Sequence, residues 1–352
     1  MTNRRRFLTL SALGSLAGAA ACAVQTTASG NPYYQGPVSD HFDGTRFFNP
    51  GGEDPRGFRD LLRWQFGGDR ADWPDAVGIT QTTPDARVTD LRVTMVGHAT
   101  ILIQAGGRNI LTDPVWSRRA SPFAFAGPSR VTVPGVAFAD LPPIDAVLLS
   151  HNHYDHLDLD TLRRLHAAHA MPVVTPLGND TILRDAIPGI DARAGDWGDV
   201  IALPDLSVRL LPCHHWSARG TRDRSHALWA AFAVDTPAGR IFHIGDTGYD
   251  RGRPYEAASA HGPYRLAILP IGAYAPRWFM APQHQNPDEA VAGFQTSGAR
   301  HALAHHWGTF QLTDEPRDEP PAKLARALAA AGVSSDVFRA IPPGAVWDVA
   351  GS

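Results

Sequence analysis

From Leu91 onward the chain is a succession of short apolar runs, each stopped by Gly, Pro, Asp or His. Ten of them predict strands: Val93–Val96, Ile101–Ile103, Asn109–Leu111, Ala146–Leu149, Val173–Thr175, Val208–Leu211, Ala230–Val234, Ile241–Ile244, Leu266–Leu269 and Ala302–Ala304. Runs that are apolar throughout, rather than alternating, predict strands covered on both faces. Helical spacing occurs at Phe58–Phe66, at Asp160–Ala168, after Asn286 and at Lys323–Ala331. Asn286 suits an N-cap, Pro287 the first helical position and the acids Asp288 and Glu289 the first turn, while Gly332 stops the last helix. Nothing in the sequence divides 90–350, so one α/β domain is expected over 91–352. Residues 23–90, rich in Gly, Pro, Asp and Asn, read as an N-terminal extension.

The opening residues follow a different logic. Arg4-Arg5-Arg6-Phe7-Leu8 precedes a weakly apolar stretch that ends in small residues near Ala21. This order predicts an export signal over 1–22, with a twin-arginine spelling. Ala19-Ala20-Ala21-Cys22 also has the form of a lipoprotein cleavage site, although the preferred leucine three residues before the cysteine is missing. The expected location is therefore exported, either periplasmic or membrane-anchored through Cys22. No apolar run reaches the ~18–20 residues that span a bilayer.

Composition removes several chemistries. Of 352 residues, 32 are basic, and Lys323 is the only lysine. It is followed by Leu324, so no phosphate-cradling Gly-Lys-Ser/Thr loop exists. Pro321 stands two residues before it, which excludes phospholipid hydrolysis by a His-x-Lys pair. With only Cys22 and Cys213, neither a disulfide framework nor a thiolate zinc site can form. A net charge of −3 leaves no basic nucleic-acid footprint. The chain has 16 histidines, so any metal would be held by nitrogen and oxygen.

Those donors are concentrated. The apolar run ending at Leu149 leads into Ser150-His151-Asn152-His153-Tyr154-Asp155-His156, which sets four potential ligands within six residues. His151 and His153 share side-chain parity at the strand end, and the turn towards the next helix lets Asp155 and His156 face a neighbouring point. One segment can thus serve two adjacent metals, but it cannot complete both shells. Three other runs end abruptly in donors: His214-His215 after Leu211, Asp246 after Ile244, and His305-His306 after Ala304. Ligands gather beyond the carboxyl ends of strands in α/β folds. Adjacent side chains on a strand point to opposite faces, so one member of each tandem pair is expected at the site.

These motifs, with Gly245-Asp246-Thr247-Gly248, resemble the metallo-β-lactamase superfamily. Further strings resemble one group within it, the N-acylphosphatidylethanolamine-hydrolysing phospholipases D and their bacterial relatives. They are Val96-Gly97-His98-Ala99-Thr100, Leu111-Thr112-Asp113-Pro114, Pro270-Ile271-Gly272-Ala273-Tyr274, Pro276-Arg277-Trp278-Phe279-Met280 and His306-Trp307-Gly308-Thr309-Phe310. The likeness extends over roughly residues 40–345. It implies a four-layer αββα sandwich of class α/β (α+β) carrying two Zn²⁺ ions. His151, His153 and His215 would hold one ion, and Asp155, His156 and His306 the other. Asp246 would bridge them and, with Asp155, carry the catalytic chemistry.

A nitrogen and oxygen donor set suits Zn²⁺ first, with Fe or Mn as further choices. Two such metals share a water and lower its pKa towards ~7, giving a nucleophile without Ser, Cys or Lys. The resemblance implies release of N-acylethanolamine and phosphatidic acid from a phospholipid at a membrane surface. The alternative is a lactonase or another hydrolase on the same metals. Asp113 and Asp158 are expected to accept N–H bonds from ligand histidines. Tyr154, Trp216, Tyr274, Gln283 and His284 are expected to contact substrate, Trp278, Phe279 and Met280 to help line an acyl groove, and Arg277 to be available for phosphate.

Overall fold

All ten apolar runs form strands in the computed structural model, which describes residues 30–68 and 70–351. The export signal expected over 1–22 lies outside the described residues. One seven-stranded sheet contains β1 (Leu91–Gly97), β2 (Thr100–Ala105), β3 (Arg108–Thr112), β4 (Ala146–Leu148), β5 (Val173–Pro176), β6 (Ala192–Gly195) and β14 (Val346–Asp348), in the order β14-β1-β2-β3-β4-β5-β6. The other contains β7 (Val200–Leu203), β8 (Leu206–Leu211), β9 (Ala231–Thr236), β10 (Gly239–His243), β11 (Leu266–Pro270), β12 (His301–His305) and β13 (Phe338–Arg339), in the order β13-β12-β11-β10-β9-β8-β7. Strands β3 to β6 pair in parallel, as do β10 to β13.

Alternation along the strands builds three apolar layers. Ile101 and Ile103 of β2, Ile241 of β10 and Leu303 of β12 meet between the sheets. Leu102 turns outward to Leu162 and Leu165 of α2 (Leu159–His169) and to Leu183 of α3 (Asn179–Ala186). On the far side Phe242, Ala302 and Ala304 meet Tyr255 of α4 (Arg253–Ser259), Phe294 of α6 (Pro287–Ser297) and Leu328 of α7 (Glu319–Ala331). Helix, sheet, sheet and helix thus form the four-layer α/β sandwich. As the sequence anticipates, Asn286 caps α6, accepting from the Glu289 amide at 2.9 Å, and Gly332 ends α7 with φ 66°.

The N-terminal stretch is packed into this body. Phe42 and Phe47 are buried in the same cluster as Trp229 and Tyr255. Helix α1 (Phe58–Gly67) turns Leu61 inward against Phe279 and Met280, next to the short α5 (Arg277–Met280). Among the described residues no helix is long and apolar enough to cross a membrane.

Candidate metal centre

The donors leave the carboxyl ends of strands from both sheets. Asp113 follows β3, His151 to His156 follow β4, His215 follows β8, Asp246 follows β10 and His306 follows β12. Parallel strands end at the same rim, so the sandwich brings both sheets' donors to one edge. Close backbone approach is part of this. Gly245 has φ +64°, and a Cβ there would lie 2.7 Å from the Ser150 Cβ. A Cβ on Gly248 would lie 2.5 Å from the Pro282 carbonyl oxygen, so the Asp246 loop rests directly on the segment carrying Gln283 and His284.

The side chains converge in two overlapping groups. His151 Nε2 and His215 Nε2 lie 2.9 and 3.2 Å from His153 Nδ1. Asp155 Oδ2 lies 3.3 Å from His306 Nε2 and 3.5 Å from His156 Nε2. Asp246 spans both groups, its Oδ2 being 3.0 Å from His306 Nε2, 3.2 Å from His156 Nε2 and 3.8 Å from His215 Nε2. Buried His156 Nε2, His306 Nε2 and Asp246 Oδ1 have no hydrogen-bond partner. Leaving inward-facing donors dry and unpaired is costly, whereas a metal ion would satisfy them together. The cluster therefore fits metal. In each tandem pair the residue before Trp reaches the centre. His214 instead lies 2.9 Å from the Glu53 carbonyl and 3.0 Å from Asp250 Oδ2, and His305 faces the core beside His243.

Behind the donors stands the fully buried Asp113. Its Oδ2 accepts from His156 Nδ1 at 2.8 Å and from the Ser150 hydroxyl at 2.7 Å, while its Oδ1 accepts from the Ser150 amide at 2.7 Å. Ser150 Oγ in turn lies 2.9 Å from His151 Nδ1. One carboxylate thereby directs the Nε2 atoms of a histidine in each group towards the centre. Ser150 escapes sequence reading because a serine at a strand end carries no distinguishing pattern. Asp158 corrects the expectation made for it. It caps α2, accepting from the Asp160 and Thr161 amides at 3.1 and 3.2 Å, from the Thr161 hydroxyl at 2.6 Å and from the Ser117 amide at 3.0 Å. The free amides of a helix start claim its oxygens before any histidine does.

Charge divides the histidines. Burial pushes His153 and His98 down to about 4 and His284 to about 3, and holds His151 and His215 well below the usual value. Burial also opposes charge on His306 and His156, but Asp246 and Asp155 outweigh it, holding His306 at about 9 and His156 well above normal. In metal-free protein the lowered group binds protons only on unfolding, so stability declines as pH falls from ~6.5 towards about 4. The raised pair contributes fully below ~6.5, and its contribution is lost as pH rises through about 9. The expected melting temperature of chelator-treated protein peaks near pH ~6.5. Metals displace the protons on His156 and His306, so zinc-loaded protein should lose the alkaline decline. A metal-free melting temperature that climbs steadily through pH 9 in thermal scans would contradict this.

A cavity of about 320 Å³ opens over the centre. His153, Asp155, Asp246, Gln283 and His284 line it, together with Tyr154 and Trp216, the apolar Leu61, Trp64, Phe279 and Met280, and the arginines Arg56, Arg70, Arg219 and Arg224. Trp216 packs edge-on against His153 with ring centroids 4.5 Å apart. The Tyr154 hydroxyl donates to the Arg219 carbonyl at 2.9 Å, and the Arg219 guanidinium lies over its ring at 4.0 Å. Tyr274 departs from expectation. It is buried away from the cavity, and its hydroxyl donates to Glu319 at 2.6 Å. Arg277 is also committed elsewhere, holding both Glu289 oxygens at 2.8 and 2.9 Å. Trp278 is partly exposed beneath the Arg63 guanidinium, leaving Phe279 and Met280 as the cavity-lining part of that string.

Comparison with known proteins agrees with this picture. Residues 108–307 match a family described as the beta-lactamase superfamily domain. An N-acyl-phosphatidylethanolamine-hydrolyzing phospholipase D from Caenorhabditis elegans is 36% identical over 271 residues, covering 73% of this chain and 76% of that protein. An uncharacterized Mycobacterium tuberculosis protein is 36% identical over 321 residues, covering 89% of this chain and 83% of its own length. Among solved structures, a metallo hydrolase from Ignicoccus hospitalis superposes with a TM-score of 0.55 at 18% identity, covering 73% of this chain and 97% of its own. The chain belongs to the metallo-β-lactamase superfamily as a metal-dependent hydrolase, with N-acyl-phosphatidylethanolamine-hydrolysing phospholipases D among its relatives.

Proposed function

We propose that the centre holds two divalent ions, zinc by preference, and hydrolyses the phosphodiester of N-acylphosphatidylethanolamine to phosphatidic acid and N-acylethanolamine. The observation that carries this reading is the make-up of the cavity lining: histidine and carboxylate donors share it with the apolar Leu61, Trp64, Phe279 and Met280 and with Arg56, Arg70, Arg219 and Arg224. An anionic diester with long acyl chains fits a lining of that mixed character. Bound metals would supply an activated water and a Lewis-acid contact to phosphate at neutral pH. The chain's own contribution is placement. Asp246 links the two donor groups, Trp216 fixes the His153 ring, and Gln283 and His284 stand beside Asp246 where the phosphate would rest. In the overall reaction the water oxygen bonds to phosphorus, the phosphorus–oxygen bond to the ethanolamide breaks, and a proton ends on the released alcohol.

The rim supports presentation by a lipid surface. Phe66, Phe123, Phe125 and Trp278 are exposed beside lining residues Gln65, Pro122 and Phe279, and the Phe123 and Phe125 rings lie 5.6 Å apart. Exposed aromatics on segments that line a cavity are a common means of reaching lipid. Purified protein should contain two metals per chain, sediment with vesicles containing N-acylphosphatidylethanolamine, and release N-acylethanolamine from them. Two metals with turnover only of lactones or simple phosphodiesters would move the reading to another hydrolase of this fold. Absence of metal after reconstitution with zinc would overturn the centre itself.

A further inference from the structure

A sixth histidine reaches the Asp155 end of the centre from outside the ligand set read from the sequence. His98 sits in the tight connection between β1 and β2, with φ +57° and its side chain 2% exposed. Its backbone is tied at both ends to the loop carrying His306. Its amide donates to Thr309 Oγ1 at 2.9 Å, and its carbonyl accepts from the His306 amide at 3.0 Å. The ring packs against His306, centroids 4.1 Å apart, and edge-on to Phe310 at 5.2 Å. These contacts leave it one direction to point, and Nε2 lies 2.9 Å from Asp155 Oδ2. That oxygen is the one that also faces His306 Nε2 at 3.3 Å and His156 Nε2 at 3.5 Å.

We infer that His98 is a positioning residue: it donates Nε2–H to Asp155 Oδ2, fixing that carboxylate for the metal held by Asp155, His156 and His306. Donation from Nε2 places the ring's lone pair on Nδ1, and that atom is buried with no partner. A histidine accepting its own metal through Nε2 would need the opposite tautomer. A left-handed backbone at a residue with a Cβ persists only where surrounding contacts enforce it. At His98 those contacts come from the His306 loop, from Asp155 and from the His156 ring, edge-on with centroids 5.7 Å away, so the strain is located where it aligns donors of the same ion. His151, His153 and His215 are not touched by His98, which makes the expected effect one-sided.

The inference rests on the metal reading above, and one titration separates the two. Wild type, His98→Phe and His98→Gln are stripped and titrated with Co²⁺, following the visible spectrum and bound metal against a competing chelator. Wild type should bind two ions. His98→Phe keeps the volume but not the donor. It should retain the tighter ion and bind the second ~10–100-fold more weakly, with kcat falling by a similar factor and KM little changed. His98→Gln, which restores an N–H donor, should recover much of that loss. Equal weakening of both ions in His98→Phe, unchanged titration in His98→Phe, or a His98→Gln no better than His98→Phe would each overturn the assignment. Failure of wild type to bind metal would instead sink the reading of the centre. Circular dichroism checks that the variants fold, and His98→Gln carries the comparison if His98→Phe does not.

Discussion

Asp246→Asn should abolish useful turnover, by ~10³-fold or more, and reduce bound metal from two ions to one or none per chain. The substitution keeps shape and removes charge, which isolates the electrostatic role. Asp155 and Asp246 are the carboxylates among the converging donors, so two divalent ions would be offset by two negative charges. Removing one leaves cation–cation repulsion poorly countered in a buried site, where electrostatic effects are strongly felt. Asp246 also groups with donors of both positions, with His151 and His215 of one and with His156 of the other. Loss at Asp155 should be confined more nearly to one ion. Metal analysis by mass spectrometry, paired with turnover on a soluble phosphodiester, reads both effects. An Asp246→Asn protein with two metals and near-normal turnover would show that the carboxylate bridges nothing.

The strands recognised from the sequence and those missed fall along a physical boundary. All ten apolar runs lie in the interior of the two sheets, and the four strands without such a run, β6, β7, β13 and β14, are the four sheet edges. Interior strands are covered by the partner sheet on one face and helices on the other, so most of their positions are apolar. Edge strands are short and half-covered, as in Val200–Leu203, where only Leu203 is buried, and their sequence carries little period. The site divides in a similar way. Donors packed into six residues, or set directly after an apolar run, are visible because chain proximity is spatial proximity. Asp113, Ser150 and His98 act through contacts made between segments tens of residues apart. Asp113 and Asp158 read alike in the sequence, as carboxylates beside donor segments; Asp113 accepts from His156, whereas the oxygens of Asp158 are taken by the start of α2. Tyr274 belonged to an aromatic string whose members point in different directions: Phe279 and Met280 reach the cavity, whereas Tyr274 turns inward to Glu319.

Asp113→Ala should lower metal affinity and turnover by ~10–100-fold although it removes no donor from the centre. The carboxylate is fully buried and accepts from His156 directly and from Ser150, whose hydroxyl faces His151. Removing it leaves the His156 Nδ1–H and the Ser150 hydroxyl without their acceptor and frees both imidazoles to rotate or change tautomer. The two ions should therefore weaken together, unlike the one-sided loss expected at His98. Ser150→Ala supplies the internal comparison. It cuts only the branch to His151, so the ion held by His151, His153 and His215 should weaken while the other is largely kept. Asp113→Asn keeps the volume and one acceptor oxygen and should fall between Asp113→Ala and wild type. Zinc stoichiometry measured across a chelator series, with turnover on the same samples, distinguishes these patterns. Unchanged zinc content and turnover in Asp113→Ala would remove the carboxylate from any role in the centre, and equal loss of both ions in Ser150→Ala would show that the two branches are not separate.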